Sequence, residues 1–263
     1  MPATPADLLA AVRTREPAAP LVTFYDDVSG ERTELSATTL ANWVAKTANL
    51  LQDEFDVGPG STVGLALPVH WQTAAVLLGA WSCGATVLDT AAEDEGRLAG
   101  ASVVLAAADR LPPLEELELP ELMGLSLHPL GLGMAGYVGP ARDYALEVRV
   151  HGDVFQPWQP VDPGSPGLVL GGLELTLSGL VDTATELAGR LGLRTGDRVL
   201  VDERTATEAG PVAWLLAPLA AGASLVLCRA AASAQLQRRA EAERVTATLG
   251  LTLDGIRELG RPA

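Results

Sequence analysis

The chain has 263 residues, 48% of them hydrophobic and 19% charged, with 33 acidic against 18 basic side chains and a formal net charge of -15. That apolar fraction excludes a disordered tail, the length allows one large domain or two small ones, and so negative a field repels nucleic-acid phosphates. Every basic residue but one is arginine, so Lys46 is the one candidate for any chemistry that needs a lysine.

The opening stretch, Met1 to Asp7, has no basic segment followed by an apolar run and is read as no signal peptide. Cys83 and Cys228 are widely spaced and read as small buried hydrophobes, which predicts a reduced, cytoplasmic protein. A hairpin turn is expected at Ser29-Gly30, with Asp26, Asp27, Glu31 and Glu34 as solvated charges around it. Leu40, Val44, Thr47, Ala48 and Leu51 form one helical stripe.

No charge occurs from Val57 to Leu88, but Gly58-Pro59-Gly60, Pro68 and Gly84 break the run. It parses as buried strands flanking an apolar helix rather than a membrane span. Glu93-Asp94-Glu95 reads as a solvated loop or helix start, and Ser102 to Ala106 as a buried strand. Leu111 to Leu122 reads as a short acidic helix or loop, Gly124 to Gly139 as loop, and the alternation from Tyr144 to Val150 as a strand. Gly131 to Gly136 spells G-x-G-x-x-G, yet Gly139-Pro140 breaks the helix that a dinucleotide loop requires, so a connector is expected. The prolines between Gln156 and Gly167 mark a linker, dividing the chain into subdomains 1–160 and 161–263. Further on come the uncharged run Ala209 to Cys228, a helix from Gln235 to Glu243, a strand from Thr246 to Leu249 and a helix from Leu253 to Leu259.

The two halves repeat one pattern. Leu180, Ala184, Leu187, Ala188 and Leu191 restate the first helical stripe, Gly196 aligns with Gly60, and Gly222 with Gly84. Each copy reads as amphipathic helix, glycine turn, apolar strand, uncharged helix, glycine and apolar strand. Helices alternating with short apolar strands predict an α/β fold of two similar parallel-sheet subdomains.

Val57-Gly-Pro-Gly-Ser-Thr-Val63, Leu67-Pro68 and Gly84-Ala-Thr-Val87 resemble, in order and spacing, the N-terminal part of the adenylate-forming (AMP-binding) acyl-CoA synthetase superfamily. Gly171-Gly-Leu-Glu-Leu-Thr176, Gly196-Asp-Arg-Val199 and Glu243-Arg-Val-Thr246 continue the likeness. In that superfamily a Ser/Thr/Gly-rich phosphate loop ending in Pro-Lys-Gly precedes the strand that resembles Leu173–Thr176. Here Gly167-Leu-Val-Leu170 runs straight into Gly171-Gly172, with no Ser/Thr cluster and no lysine nearby. The segments that follow in the superfamily, including a C-terminal lysine, have no counterpart before Ala263.

The resemblance therefore implies a degenerate homologue that does not form acyl-adenylates alone and has a binding, regulatory or assembly role. The alternative is an enzyme with an altered nucleotide or CoA site in the crevice between the subdomains. The ligand-binding candidates are His70, at a strand-to-helix turn, with Gly171, Gly172 and Thr176 around the lost loop. No catalytic residue is assigned. His70, His128 and His151 lack metal-ligand spacing, and no metal is expected. No cofactor is expected either; ATP, AMP or CoA belongs to the alternative. A second copy or another protein is the expected partner, with no nucleic acid and no membrane.

Overall fold

The computed structural model describes residues 2–89 and 95–260. Glu93 and Asp94 and the side chain of Glu95, read above as solvated charges, lie outside that description. The chain opens with a helix not anticipated from its composition, α1 (Pro5–Arg15). Its start is a capping box: the Thr4 hydroxyl accepts from the Asp7 amide while the Asp7 carboxylate accepts from the Thr4 amide.

The first repeat unit begins with a hairpin, β1 (Pro20–Asp26) and β2 (Glu31–Ser36). Then follow α2 (Ala37–Phe55), β3 (Thr62–Ala66), α3 (Trp71–Ser82), β4 (Thr86–Asp89) and β5 (Val103–Ala107). Shorter pieces complete it: α4 (Leu111–Glu115), β6 (Leu122–Leu125), β7 (Arg142–Asp143) and α5 (Tyr144–Glu147).

The second unit restates the order. It has a hairpin, β8 (Pro166–Leu170) and β9 (Leu173–Thr176), then α6 (Leu177–Leu191) and β10 (Arg198–Asp202). Next come α7 (Glu203–Pro211), a π-helical turn (Val212–Leu216), α8 (Ala217–Ala221) and β11 (Ser224–Arg229). The chain continues through α9 (Ser233–Ala242), β12 (Ala247–Thr248) and β13 (Arg257–Glu258).

The repeat extends to detail. Ser36 caps α2 and Thr176 caps α6, each side chain accepting from the backbone amide three residues on. Both hairpins carry a register shift just after their first proline, Pro20 and Pro166. Gly60 and Gly196 have φ of +90° and +82°, and Gly84 and Gly222 have φ of +79° and +71°. These are left-handed positions, where a side chain would be strained.

Among the described residues there are two sheets, of order β7-β6-β5-β3-β4-β8-β9 and β13-β12-β10-β11-β1-β2. All pairings are parallel except within the two hairpins. Each hairpin sits in the other unit's sheet: β1 pairs β11, and β8 pairs β4. Neither sheet is built from one half of the chain alone.

The helices α1, α2, α3 and α6 share one apolar core with the inner faces of both sheets, and α3 is buried over almost its whole circumference. Smaller clusters cover the outer faces: Ala66, Leu88, Val104 and Ala106 under α4, and Leu200, Val226 and Cys228 under α9. Sheets covered on both sides explain the two uncharged runs, which form α3 with β4 and the π turn with α8 and β11. Among the described residues no helix is long and apolar enough to cross a membrane.

Three local expectations are corrected. Tyr144–Val150 is not a strand but α5 followed by a 3-10 turn, because the Asp143 carboxylate accepts from the Ala145 and Leu146 amides and starts a helix. Leu253–Leu259 is not a helix: Gly255 has φ of +73°, and the chain turns into β13 beside β12. The region read as loop after Gly124 is preceded by β6, whose last residues are Gly124 and Leu125.

Candidate functional site

In a parallel sheet, the strand order reverses direction at one place, and side chains beyond the carboxyl ends there leave a crevice. In the larger sheet β4 lies on one side of β3 and β5 on the other, so the switch point is between β3 and β5. A cavity of about 400 Å³ opens at that place. It runs from Leu65–Val69 beyond β3 to Asp89 at the end of β4, and to Leu170, Gly210 and Trp214.

Its far wall is irregular. Gly210 adopts φ of +72° and ψ of 172° within α7, and Pro211 follows, so the helix breaks and continues as the π turn that carries Trp214. A Cβ on Gly210 would lie 3.0 Å from the Leu170 side chain, so glycine also lets the two walls approach.

Register explains the floor of the crevice. Leu65 pairs with Asp89 and with Leu105, and Asp89 pairs with Leu170. Leu65 and Leu105 belong to the core on the inner face, and Leu170 packs against it, whereas Leu88 lies on the outer face. Alternation along β4 therefore puts Asp89 on the inner face, between leucines on both neighbouring strands. Burial pushes its carboxyl up to about 6. Among the described residues no hydrogen bond or ion pair reaches it. Asp109, Arg110 and Arg229 line the cavity as well, and Arg229 faces Glu203 at 3.4 Å and Asp26 at 4.0 Å.

The candidates chosen from sequence do not converge. His70 is the N-cap of α3: its Nδ1 accepts from the Gln72 amide at 3.1 Å. It is 1% exposed, edge-on to Phe24, and burial holds its pKa below the usual imidazole range. Nδ1 accepts a bond, so the neutral ring carries its proton on Nε2, which lies 3.7 Å from Glu31 Oε2 and has no hydrogen-bond partner among the described residues.

Glu31 and Asp26 are not the solvated charges expected: both are buried. Glu31 accepts from the Trp71 indole at 3.3 Å and the Thr33 hydroxyl at 2.6 Å, and Asp26 accepts from the Val28 amide at 2.8 Å. Glu31 ties the first hairpin to α3 through Trp71, and Asp26 fixes the hairpin's own turn.

Gly171 and Gly172 form the turn between β8 and β9, with φ of +54° and +88° and Leu170 paired directly to Leu173. Two consecutive left-handed residues make a type I′ turn, the tightest hairpin connection. Thr176 spends its hydroxyl on the Gly179 amide.

Lys46 is occupied elsewhere. Its Nζ donates to the His151 carbonyl at 2.5 Å and lies 3.0 Å from Asp153. Asn49 donates to the Gly152 and Val154 carbonyls, and Gln52 accepts from the Trp158 amide. Lys46, Asn49 and Gln52 thus form one stripe of α2 that ties down the strap 151–158. In the Gly131–Gly136 stretch, Arg149 donates to the Leu130 and Gly131 carbonyls, and no helix follows.

Cys83 and Cys228 are buried and free, with thiols pushed up to about 12 and about 11, so neither is a ready nucleophile. Among the described residues no cluster of three or more His, Cys, Asp or Glu side chains is placed to hold a metal ion. Asp89 itself escapes sequence reading because it sits just past the uncharged run and looks like its boundary. The signal was the repeat: aligning Gly84 with Gly222 puts Asp89 opposite Leu227.

A TIGR03089 family protein from Mycobacterium tuberculosis (strain ATCC 25618 / H37Rv) is 46% identical over 243 residues, which cover 89% of this chain and 93% of that protein. No family model matches the chain. Among solved structures, a Mycobacterium tuberculosis fatty acyl CoA synthetase superposes with a TM-score of 0.73 at 14% identity, over 94% of this chain and 49% of that one. The anthranilate CoA ligase AuaEII in complex with anthranoyl-AMP gives 0.74 at 18%, over 95% and 49%. The N-terminal domain of FACL13 from Mycobacterium tuberculosis gives 0.73 at 14%, over 94% and 62%. The chain thus spans about half the length of the full-length synthetase structures it matches. It belongs to the TIGR03089 family, and its α/β fold is that of the N-terminal part of acyl-CoA synthetases.

Proposed function

We propose that this protein is a non-catalytic relative of the acyl-CoA synthetases, a binding, regulatory or assembly module whose ligand site is the crevice beyond β3, β4 and β5. The observation that carries this reading is the two-residue turn at Gly171-Gly172. A phosphate loop works by presenting several backbone amides and a lysine to one anion. A type I′ turn of two glycines has no room for that cradle, and Lys46 is bonded to the strap on another face.

Binding, without transfer of an adenylate, is what the remaining geometry supports: a cavity of about 400 Å³ at a topological switch point, lined by apolar side chains and by Asp89, Asp109, Arg110 and Arg229. The test is pyrophosphate exchange into ATP with a panel of carboxylic acids, together with calorimetry against ATP, AMP and CoA. We expect no exchange and no heat of binding at millimolar nucleotide. Exchange above the protein-free rate overturns the proposal in favour of an enzyme with an altered nucleotide site.

A further inference from the structure

The crevice contains a feature that its own fold argues against. At the end of β4, Asp89 occupies a register row otherwise made of leucines: Leu105, Leu65, Asp89, Leu170. The repeat supplies the apolar version of the same row. In the sequence, aligning Gly60 with Gly196 puts Leu65 opposite Val201, and aligning Gly84 with Gly222 puts Asp89 opposite Leu227. In the second sheet, Val201 pairs with Leu227 and Leu227 with Phe24, all three buried in the core. One unit closes this position with a leucine, and the other opens it onto a cavity with a carboxylate.

A desolvated carboxylate without a partner destabilises a fold, so a counter-charge supplied by a ligand is the natural complement. The chain does not supply one to Asp89 among the described residues. Two arginines stand on the cavity wall, Arg110 and Arg229; Arg229 is held by Glu203 and Asp26, and among the described residues neither is ion-paired with Asp89. Burial pushes the Asp89 carboxyl up from its ordinary value. The walls on either side, Leu65, Leu67, Val69, Leu170 and Trp214, match an apolar body.

Resting on the crevice-binding reading above, we propose that this cavity binds an organic ammonium ion, its charged nitrogen at Asp89 and a compact aliphatic or aromatic body against Leu65, Leu67, Val69 and Trp214. The site selects against carboxylates, because an acid group placed there would meet Asp89 as a like charge. It also reads charge ahead of shape, because an alcohol of the same length would leave the carboxylate without a counter-ion.

The probes are n-hexylammonium, 1-hexanol and hexanoate, titrated into the full chain near pH 7.5 and followed by calorimetry and by the indole resonance of Trp214. The expected result is saturable binding of hexylammonium at least about tenfold tighter than hexanol, no binding of hexanoate, and a shift of the Trp214 signal. Asp89→Asn, which keeps the side-chain shape, is expected to remove the preference for the ammonium. Glu208→Gln, in the separate cavity beside Asp202 and Thr205, is expected to leave it unchanged.

Equal binding of hexanol, or an ammonium preference that survives Asp89→Asn, overturns the assignment of the ligand class. Tighter binding of hexanoate overturns it as well, while leaving a ligand-binding crevice in place. Binding of none of the three overturns it outright. The pyrophosphate-exchange result is independent of all these outcomes, so failure here and failure of the non-catalytic reading are distinguishable.

Discussion

The two switch-point crevices of this molecule are built to one plan and finished differently. In the smaller sheet, the row Val201, Leu227 and Phe24 is sealed into the core, and the nearby cavity of about 350 Å³ is polar, lined by Asp202, Thr205, Glu208 and Glu258. In the larger sheet the matching row holds Asp89, and the cavity beside it sets Leu65, Leu67, Val69 and Trp214 among the charges of Asp109, Arg110 and Arg229. Topology alone therefore places a crevice, and side chains at single register positions decide what it can hold. The broken row shows where one unit has given up packing, and positions that cost stability are where function concentrates.

The largest effect is expected where the first unit grips the second unit's hairpin. The buried Trp81 indole donates to the Gly167 carbonyl at 2.7 Å, and its counterpart in the repeat, Leu219, has no such bond to make. Trp81→Ala is expected to lower the unfolding free energy by about 3–5 kcal/mol in urea titration. Leu219→Ala is expected to cost about 2–3 kcal/mol, because it leaves no orphaned carbonyl. Equal costs would break the distinction between the two units.

Next comes the broken row itself. A folded pKa of about 6 against an ordinary 3.8 means that Asp89 binds its proton more readily folded than unfolded. Its stabilising effect is thus present at low pH and is lost as pH rises through about 6. Asp89→Asn, which cannot ionise, is expected to gain up to about 2–3 kcal/mol over the natural chain above pH 7. That gain should shrink between about pH 6 and pH 4, measured by thermal unfolding across the range with Asp109, Arg110 and Arg229 unchanged. A pH-independent difference would show that Asp89 is solvated in the folded protein.

A smaller effect sharpens the comparison from the opposite side. Gly60 and Gly196 both hold left-handed φ with open space around a would-be Cβ, so Gly60→Ala and Gly196→Ala should each cost about 1 kcal/mol and match closely. The smallest change is expected from Lys46→Met, at most about 1 kcal/mol, since Lys46 and Asp153 are both partly solvated. Its clearer readout is faster limited proteolysis within residues 151–158.

The repeat was legible because it rests on local chemistry: the stripes Leu40–Leu51 and Leu180–Leu191, and glycines at turns that require positive φ. The short passage from Leu170 through Gly171-Gly172 to Leu173 was legible too, because two adjacent glycines leave no length for a longer loop. The exchange of hairpins was not, since Leu21–Asp26 reads as a strand whichever sheet receives it, and its parallel partner Ser224–Arg229 lies at the far end of the chain. Glu31 and Asp26 were misread as solvated for the same reason: the partners that make their burial tolerable, Trp71, Thr33 and the Val28 amide, come together only in the fold. At Tyr144–Val150 an alternating pattern lost to one capping aspartate, Asp143. At Leu253–Leu259 helical spacing lost to the turn at Gly255. Asp89 needed a different question, namely which residue breaks the repeat.

The exchanged hairpins also set the order in which the molecule can be made. On the ribosome, β1 and β2 emerge early, but β11, beside which β1 must lie, follows about 200 residues later, a delay of some tens of seconds at ordinary elongation rates. Until then β1 has only β2, and a two-stranded hairpin is marginally stable in water. Closing contacts that span most of the chain makes folding slow and leaves a strand edge unpaired for the whole of synthesis. The nascent N-terminal half is thus the stage most exposed to misassociation, and the stage at which a chaperone would have the most to protect.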